Sequence, residues 1–411
     1  MSSLLLLMGL LLVAYLGSFL VGGERSVSGV GLPSSVEWVV LGVVVGPQVL
    51  GVVSGSLIDA VQSVVTVGLA WLMLTAGVQY ACTSRGRVRF GRVLVALPWG
   101  LVTAASVFAA VWYALPRVAP ELVPDRLVLA LALAAISCET TRHAMRWVRE
   151  RYGATGPLID LLEDIACAED LVPIGILVAL FGLAGGSKIH WLGPARVASI
   201  TVSLGVVLGV LCALLLGREF RLRESWGTVL GISLLGIGVS ATVGLAYVVV
   251  SFLIGAVLVL VSRHAGDIRG MLAPTERGAL LPLLIVCGVR IQPHEIIHTV
   301  SIFGVVLGAR VVSKLLLARV LVAVNAEARR AGRSLGLGML SSGSLTMCIG
   351  LVCATTFRGP VGDTVLAVAA ALCVAGELVG PPALRAALRR VGELHPERSI
   401  HPPPLAPEEA S

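Results

Sequence analysis

The chain has 411 residues, 56% of them apolar and 13% charged, with a mean hydropathy of +0.94 and a formal net charge of +7. Apolar runs of about 20 residues recur along its whole length, which excludes a soluble globular protein and defines a polytopic membrane protein. The basic excess does not signal a nucleic-acid partner, because it is sorted by loop.

Thirteen spans are expected, at 3–22, 34–53, 57–81, 92–115, 127–148, 157–182, 194–217, 226–242, 245–262, 274–289, 297–324, 333–356 and 363–389, joined by loops too short for a soluble domain. The first has no basic residue ahead of its apolar run, and that run is longer than a signal-peptide core, so it reads as a helix. The odd-numbered loops hold eighteen Lys and Arg, the even-numbered loops six. That asymmetry places the N-terminus outside and the C-terminus in the cytoplasm, in the inner (plasma) membrane. The eight cysteines fall almost all within spans, with no C-x-x-C and no His at metal spacing, and read as packing residues.

In chain order, the second span contains Gly46-Pro47 and the third Gly68 and Gly77, residues that permit bends or close helix packing. The fifth, LVLALALAAISCETTRHAMRWV, is apolar up to Ile136 and then meets Ser137-Cys138-Glu139-Thr140-Thr141 at mid-depth. A break there would present the Glu139 carboxylate, the Thr140 and Thr141 hydroxyls and freed backbone groups to an ion. The alternative is a structural Glu139 paired with Arg142 or Arg146, one and two turns away.

The sixth span lies within GPLIDLLEDIACAEDLVPIGILVALFG and carries five carboxylates, ending in the adjacent pair Glu169 and Asp170. An ionised group at mid-membrane costs about 2.5 to 3.5 kcal/mol on insertion scales, so the pair calls for a cation or a buried partner. Glu163 lies seven positions before Asp170 and so on nearly the same helical face, two turns nearer the cytoplasm. With Asp164 it would form an acidic funnel that concentrates cations. Asp160 reads as a solvated helix start.

The eleventh span carries Arg310 and Lys314 four apart on one face, with Lys314 at mid-depth, where Glu169 or Asp170 is the available counter-charge. The twelfth, LGLGMLSSGSLTMCIGLV, is interrupted at Ser341-Ser342-Gly343-Ser344, followed by Thr346. It follows the broken fifth by seven spans, so the two cross in opposite senses. This is the layout of inverted repeats with two crossed discontinuous helices, and it makes Ser342, Gly343 and Ser344 a second candidate site segment.

Several of these segments together resemble the bacterial monovalent cation:proton antiporters, closest to the Kef-type and NapA-type branch of the sodium/hydrogen exchanger superfamily. They are LPSSVEWVVLGVVVGPQVLG, AISCETT with VRERYGATGPL, AEDLVPIGILVAL, LLPLLIVCGVRI, the Lys314 helix, LGLGMLSSGSLT and GELVGPPALRAALRRVGE, in order over residues 8 to 393. The resemblance implies an all-α, NhaA-like antiporter fold with thirteen transmembrane helices, working as a homodimer. Scaffold helices would occupy 1–82 and 225–295, a core 83–186 and 296–393, a linker helix 187–224 and a disordered cytoplasmic tail 394–411. It also implies that Asp170 is the ion-binding aspartate, that Glu169 takes the preceding position, where the family usually has Asp, Asn or Gln, and that Lys314 pairs with it. Two acids and a lysine would favour electrogenic exchange by an elevator-like motion of the core.

The chemistry expected is competition, since a dehydrated carboxylate holds a proton or a monovalent cation, Na⁺ or K⁺, but not both. No cofactor is expected beyond the transported cation and protons. A transport-inactive sensor of pH or cations, suggested by Glu139 and Glu169, stays open. An organic-anion symporter is disfavoured by the five acids, and an enzyme by the lack of a Ser/His/Asp or H-E-x-x-H arrangement. The proline-rich tail carries no nucleotide-sensing domain of the kind Kef-type relatives often append, so regulation is expected from pH or a separate cytoplasmic protein.

Overall fold

The computed structural model describes residues 37–47, 49–53, 55–83, 86–87, 90–184, 193–217, 222–291, 296–324, 329, 334–357 and 359–394. The expected first span and the C-terminal tail lie outside them. Among the described residues the chain is helical, apart from one two-residue ladder pairing Cys82–Thr83 with Gly86–Arg87. Eight of its helices are long and apolar enough to cross a membrane.

The elements follow the expected spans with informative departures. The second span yields only α1 (Glu37–Val45), because Gly46 precedes Pro47 and the residue before a proline is pushed out of the α region. The third is α2 (Gly55–Ala60) and α3 (Gln62–Ala81), and the fourth is α4 (Phe90–Val118), followed by a 3₁₀ turn, Pro120–Asp125. The fifth is divided into α5 (Arg126–Cys138) and α6 (Arg142–Tyr152).

The sixth is one span, Pro157–Leu183, in which a single turn residue, Asp170, separates α7 (Pro157–Glu169) from α8 (Leu171–Ala184). Pro173 is the physical reason, since its ring displaces the carbonyl four residues back, that of Glu169. Next come α9 (Pro194–Leu215), α10 (Leu222–Val243) and α11 (Tyr247–Val261). The tenth span is the longer α12 (Ala265–Arg290), whose first turns carry too many charges to register as a span. The eleventh is α13 (Ile296–Val324), the twelfth α14 (Ser334–Gly338) and α15 (Ser344–Thr356), and the last α16 (Pro360–Val391).

Packing sorts these helices into two groups. In one, α3 packs on α11 and α12, α1 on α12, and α9 and α10 on α11. The α3–α11 contact depends on glycine: a Cβ on Gly77 would strike the Phe252 carbonyl, and one on Gly255 the Leu74 carbonyl. Small residues that let backbones approach are the main source of helix association in lipid. Trp71 of α3 stacks on Trp226 of α10 at 5.7 Å and donates to Thr275 of α12 at 2.9 Å.

In the second group, α4 packs on α5, α7 and α13, α5 on α8, and α16 on α14 and α15. A separate apolar cluster joins Leu158 and Leu162 of α7, Leu317 and Leu321 of α13, Leu335 of α14 and Leu384 of α16. Exposed residues of α9, α10 and α13, among them Val207, Leu214, Leu235 and Val312, are large and apolar, as a lipid-facing surface requires.

Candidate ion-binding site

Two helix interruptions meet at the centre of the second group. The chain is extended at Glu139 (φ −64°, ψ 139°) and at Thr141 (φ −70°, ψ 129°), and Thr141 restarts the helix by accepting from the His143 amide at 3.3 Å. The Thr141 amide donates to the Ser341 carbonyl at 2.9 Å and the Thr140 hydroxyl to the Met339 carbonyl at 3.1 Å, so one broken segment lies against the other. A Cβ on Gly343 would collide with the Thr141 side chain, which explains a glycine between two serines. On the other side, Gly376 and Gly380 of α16 sit against the backbone of residues 340–342.

Ending α5 and α14 here leaves carbonyls without helical partners and gathers two negative helix termini. Arg310 answers both. Its guanidinium donates to the Ser137 carbonyl, to that of Glu139 at 2.5 Å and to those of Leu340 and Ser341 at 3.3 and 3.5 Å. One turn on, Lys314 Nζ donates to the Cys138 carbonyl at 3.2 Å, to the Thr140 hydroxyl at 2.9 Å and to both carboxylate oxygens of Glu169 at 2.7 Å. The expected lysine–carboxylate pair therefore forms with Glu169.

Asp170 has a different partner. At the α7–α8 joint its Oδ2 lies 3.0 Å from Nη2 of Arg142, whose side chain is 21% exposed. Arg142 also donates to the Cys167 thiol at 3.6 Å. Glu139 faces neither Arg142 nor Arg146: its Oε2 accepts from the Thr346 amide at 2.7 Å and the Thr346 hydroxyl at 2.5 Å. Three buried acids, Glu139, Glu169 and Asp170, are thus set among three bases, Arg142, Arg310 and Lys314, without net charge.

The structure brings Glu139, Thr140, Thr141, Glu169, Asp170, Lys314 and Gly343 together. Ser344 is 3.4 Å from His143, at the edge of this cluster. Glu163 and Asp164 lie further along α7, half-buried, and Glu163 stands 3.3 Å from Arg149, which also holds Asp160 at 2.7 Å. Arg142, which the sequence offered only as a partner for Glu139, and Arg310, which it placed nearby without a role, emerge as candidate site residues. The hydrophilic start of α6 was the available signal for the first, and the four-residue spacing from Lys314 for the second.

Interrupted helices that meet at buried, mutually compensating charges define the class of ion-coupled secondary carriers. The chain belongs to the sodium/hydrogen exchanger family, whose transmembrane region matches residues 11–386. Its fold is similar to that of a solved structure of the sodium proton antiporter MjNhaP1 from Methanocaldococcus jannaschii at pH 8. The TM-score is 0.69 at 15% identity, and the match covers 95% of this chain and 100% of that one. Among curated proteins, none matches the sequence. The chain is a multi-pass membrane protein of a family of cation:proton exchangers, which are transporters rather than enzymes.

Proposed function

We propose that the protein exchanges a monovalent cation, Na⁺ or K⁺, for protons by alternating access, with Asp170 as the carboxylate at which the two compete. The observation that carries this reading is the contrast between neighbouring acids. Glu169 is wholly enclosed and held through both oxygens by Lys314, and Glu139 is committed to Thr346. Asp170 is held by a partly exposed arginine through one oxygen, so it is the acid whose counter-charge can be exchanged. The neutral, dry surroundings make a proton or a cation at Asp170 an alternative to Arg142, not an addition to it.

In this reading the Glu169–Lys314 pair stays closed and neutral beside the site. Glu139, Thr140 and Thr141, with Ser342, Gly343 and Ser344, shape its wall at the crossing of two inverted repeats. The α4–α8 and α13–α16 group is the moving core of a thirteen-helix protomer. The group built on α3, α11 and α12 is the scaffold of a homodimer in the plasma membrane, with its C-terminus cytoplasmic. Glu163 and Asp164 guide cations from that side.

A sensor that does not transport is the second reading, favoured by the arginine seated on Asp170. Proton flux in proteoliposomes on addition of Na⁺, K⁺ or Li⁺ separates them: exchange gives flux with at least one ion, a sensor with none.

A further inference from the structure

The ion pair of Asp170 and Arg142 raises the question of where the guanidinium goes when a cation takes its place. A largely enclosed arginine stripped of the carboxylate it pairs with is strongly destabilised, so its displacement needs a second anion within reach. Arg142 interacts electrostatically with Asp170, Glu276 and Glu139. Glu139 is committed to Thr346, which leaves Glu276.

Glu276 lies on α12, in the other packing group, and is suited to the task. Its Oε2 is held by the Gln79 amide of α3, while its Oε1 is 3.5 Å from His143 Nε2, the residue next to Arg142 on the first turn of α6. Its side chain is 16% exposed against 6% for Asp170, so a guanidinium arriving there loses less hydration.

We infer that Glu276 is a positioning residue of the transport cycle: Arg142 passes from Asp170 to Glu276 when the cation enters and returns when it leaves. This deepens the exchange reading and rests on it. Arg142 is then a tethered competitor for the cation site, and the carboxylate that receives it sets how strongly it competes. Because Glu276 sits on the scaffold group and Arg142 on the core group, the transfer also ties occupancy of Asp170 to the contact between them.

The test is proton flux in proteoliposomes driven by whichever of Na⁺, K⁺ or Li⁺ the wild type exchanges, read as apparent KM for that ion and maximal rate. Glu276→Gln keeps the shape and the Gln79 contact but removes the receiving charge, and should raise the apparent KM about tenfold with little change in maximal rate. Glu276→Asp should raise it less. In an Arg142→Gln background, Glu276→Gln should leave KM unchanged, a non-additivity that a merely structural role would not produce.

A KM for Glu276→Gln within about twofold of wild type, or an equal rise in the Arg142→Gln background, would overturn the inference. Should Glu276→Gln not be recovered folded, Glu276→Asp measured with and without Arg142→Gln decides on the same criterion. Wild-type protein without flux driven by Na⁺, K⁺ or Li⁺ would remove both this inference and the exchange reading, whereas an exchanging wild type with an unaffected Glu276→Gln would remove this one alone.

Discussion

Lys314 Nζ stands 2.7 Å from both carboxylate oxygens of Glu169, with neither side chain exposed to any degree. The lysine comes from α13 and the carboxylate from the last residue of α7, so the pair fastens two core helices at the level of both helix breaks.

Removing one partner leaves the other charge buried and unanswered, which costs about 3 to 5 kcal/mol. Lys314→Ala is therefore expected to lower the melting temperature of the detergent-solubilised protein sharply. Glu169→Gln in the same background should recover part of the loss. Equal melting temperatures for wild type and Lys314→Ala would show that the pair does not hold the core.

A second fastening closes the N-terminal end of α7. Glu393, just beyond α16, accepts from the Leu158 amide at 2.7 Å and the Ile159 amide at 2.9 Å, capping the helix that ends at Glu169 in the candidate site. Glu393→Ala should cost about 1 to 3 kcal/mol, the scale for leaving buried donors unsatisfied. Glu393→Gln should cost less, since its remaining oxygen still accepts. The check is the order of unfolding temperatures, wild type above Glu393→Gln above Glu393→Ala, and wild-type values for both would contradict the cap.

Arg149 changes what is expected of the acidic funnel. It lies 3.3 Å from Glu163 and 2.7 Å from Asp160, and so masks part of the charge read from the sequence. Glu163→Gln should raise the apparent KM for cytoplasmic cation, more at low ionic strength than at high, because salt screens the long-range part. Arg149→Gln uncovers both acids and should lower it. Initial rates across a salt series in oriented vesicles measure this, and a shift in the same direction for both variants would exclude a funnel.

Much of this arrangement was legible in the sequence because it leaves a local trace. Polar residues inside otherwise apolar spans marked the breaks at Glu139–Thr141 and Ser341–Gly343, and a lysine at mid-depth demanded the carboxylate it has. The single-residue turn at Asp170, within the continuous sixth span, has an equally local signal in Pro173. What stayed hidden is carried by contacts between distant segments.

Arg142 is three residues from Glu139 yet pairs with Asp170, since the chain is extended at Glu139 and its carboxylate meets Thr346 on another helix. Glu393 is 235 residues from the amide it caps, and Glu276 is 197 from Gln79. Such pairings produce no periodicity, and only packing decides them.

The central claim is that Asp170 is where cation and proton exchange, and the most direct test compares wild type with Asp170→Asn in proteoliposomes carrying an internal pH dye. Addition of Na⁺, K⁺ or Li⁺ should move protons in wild type with at least one ion. The variant, folded and with an unchanged oligomeric state, should move none. Undiminished cation-driven proton flux through Asp170→Asn would contradict the account and place the exchange site elsewhere in the protein.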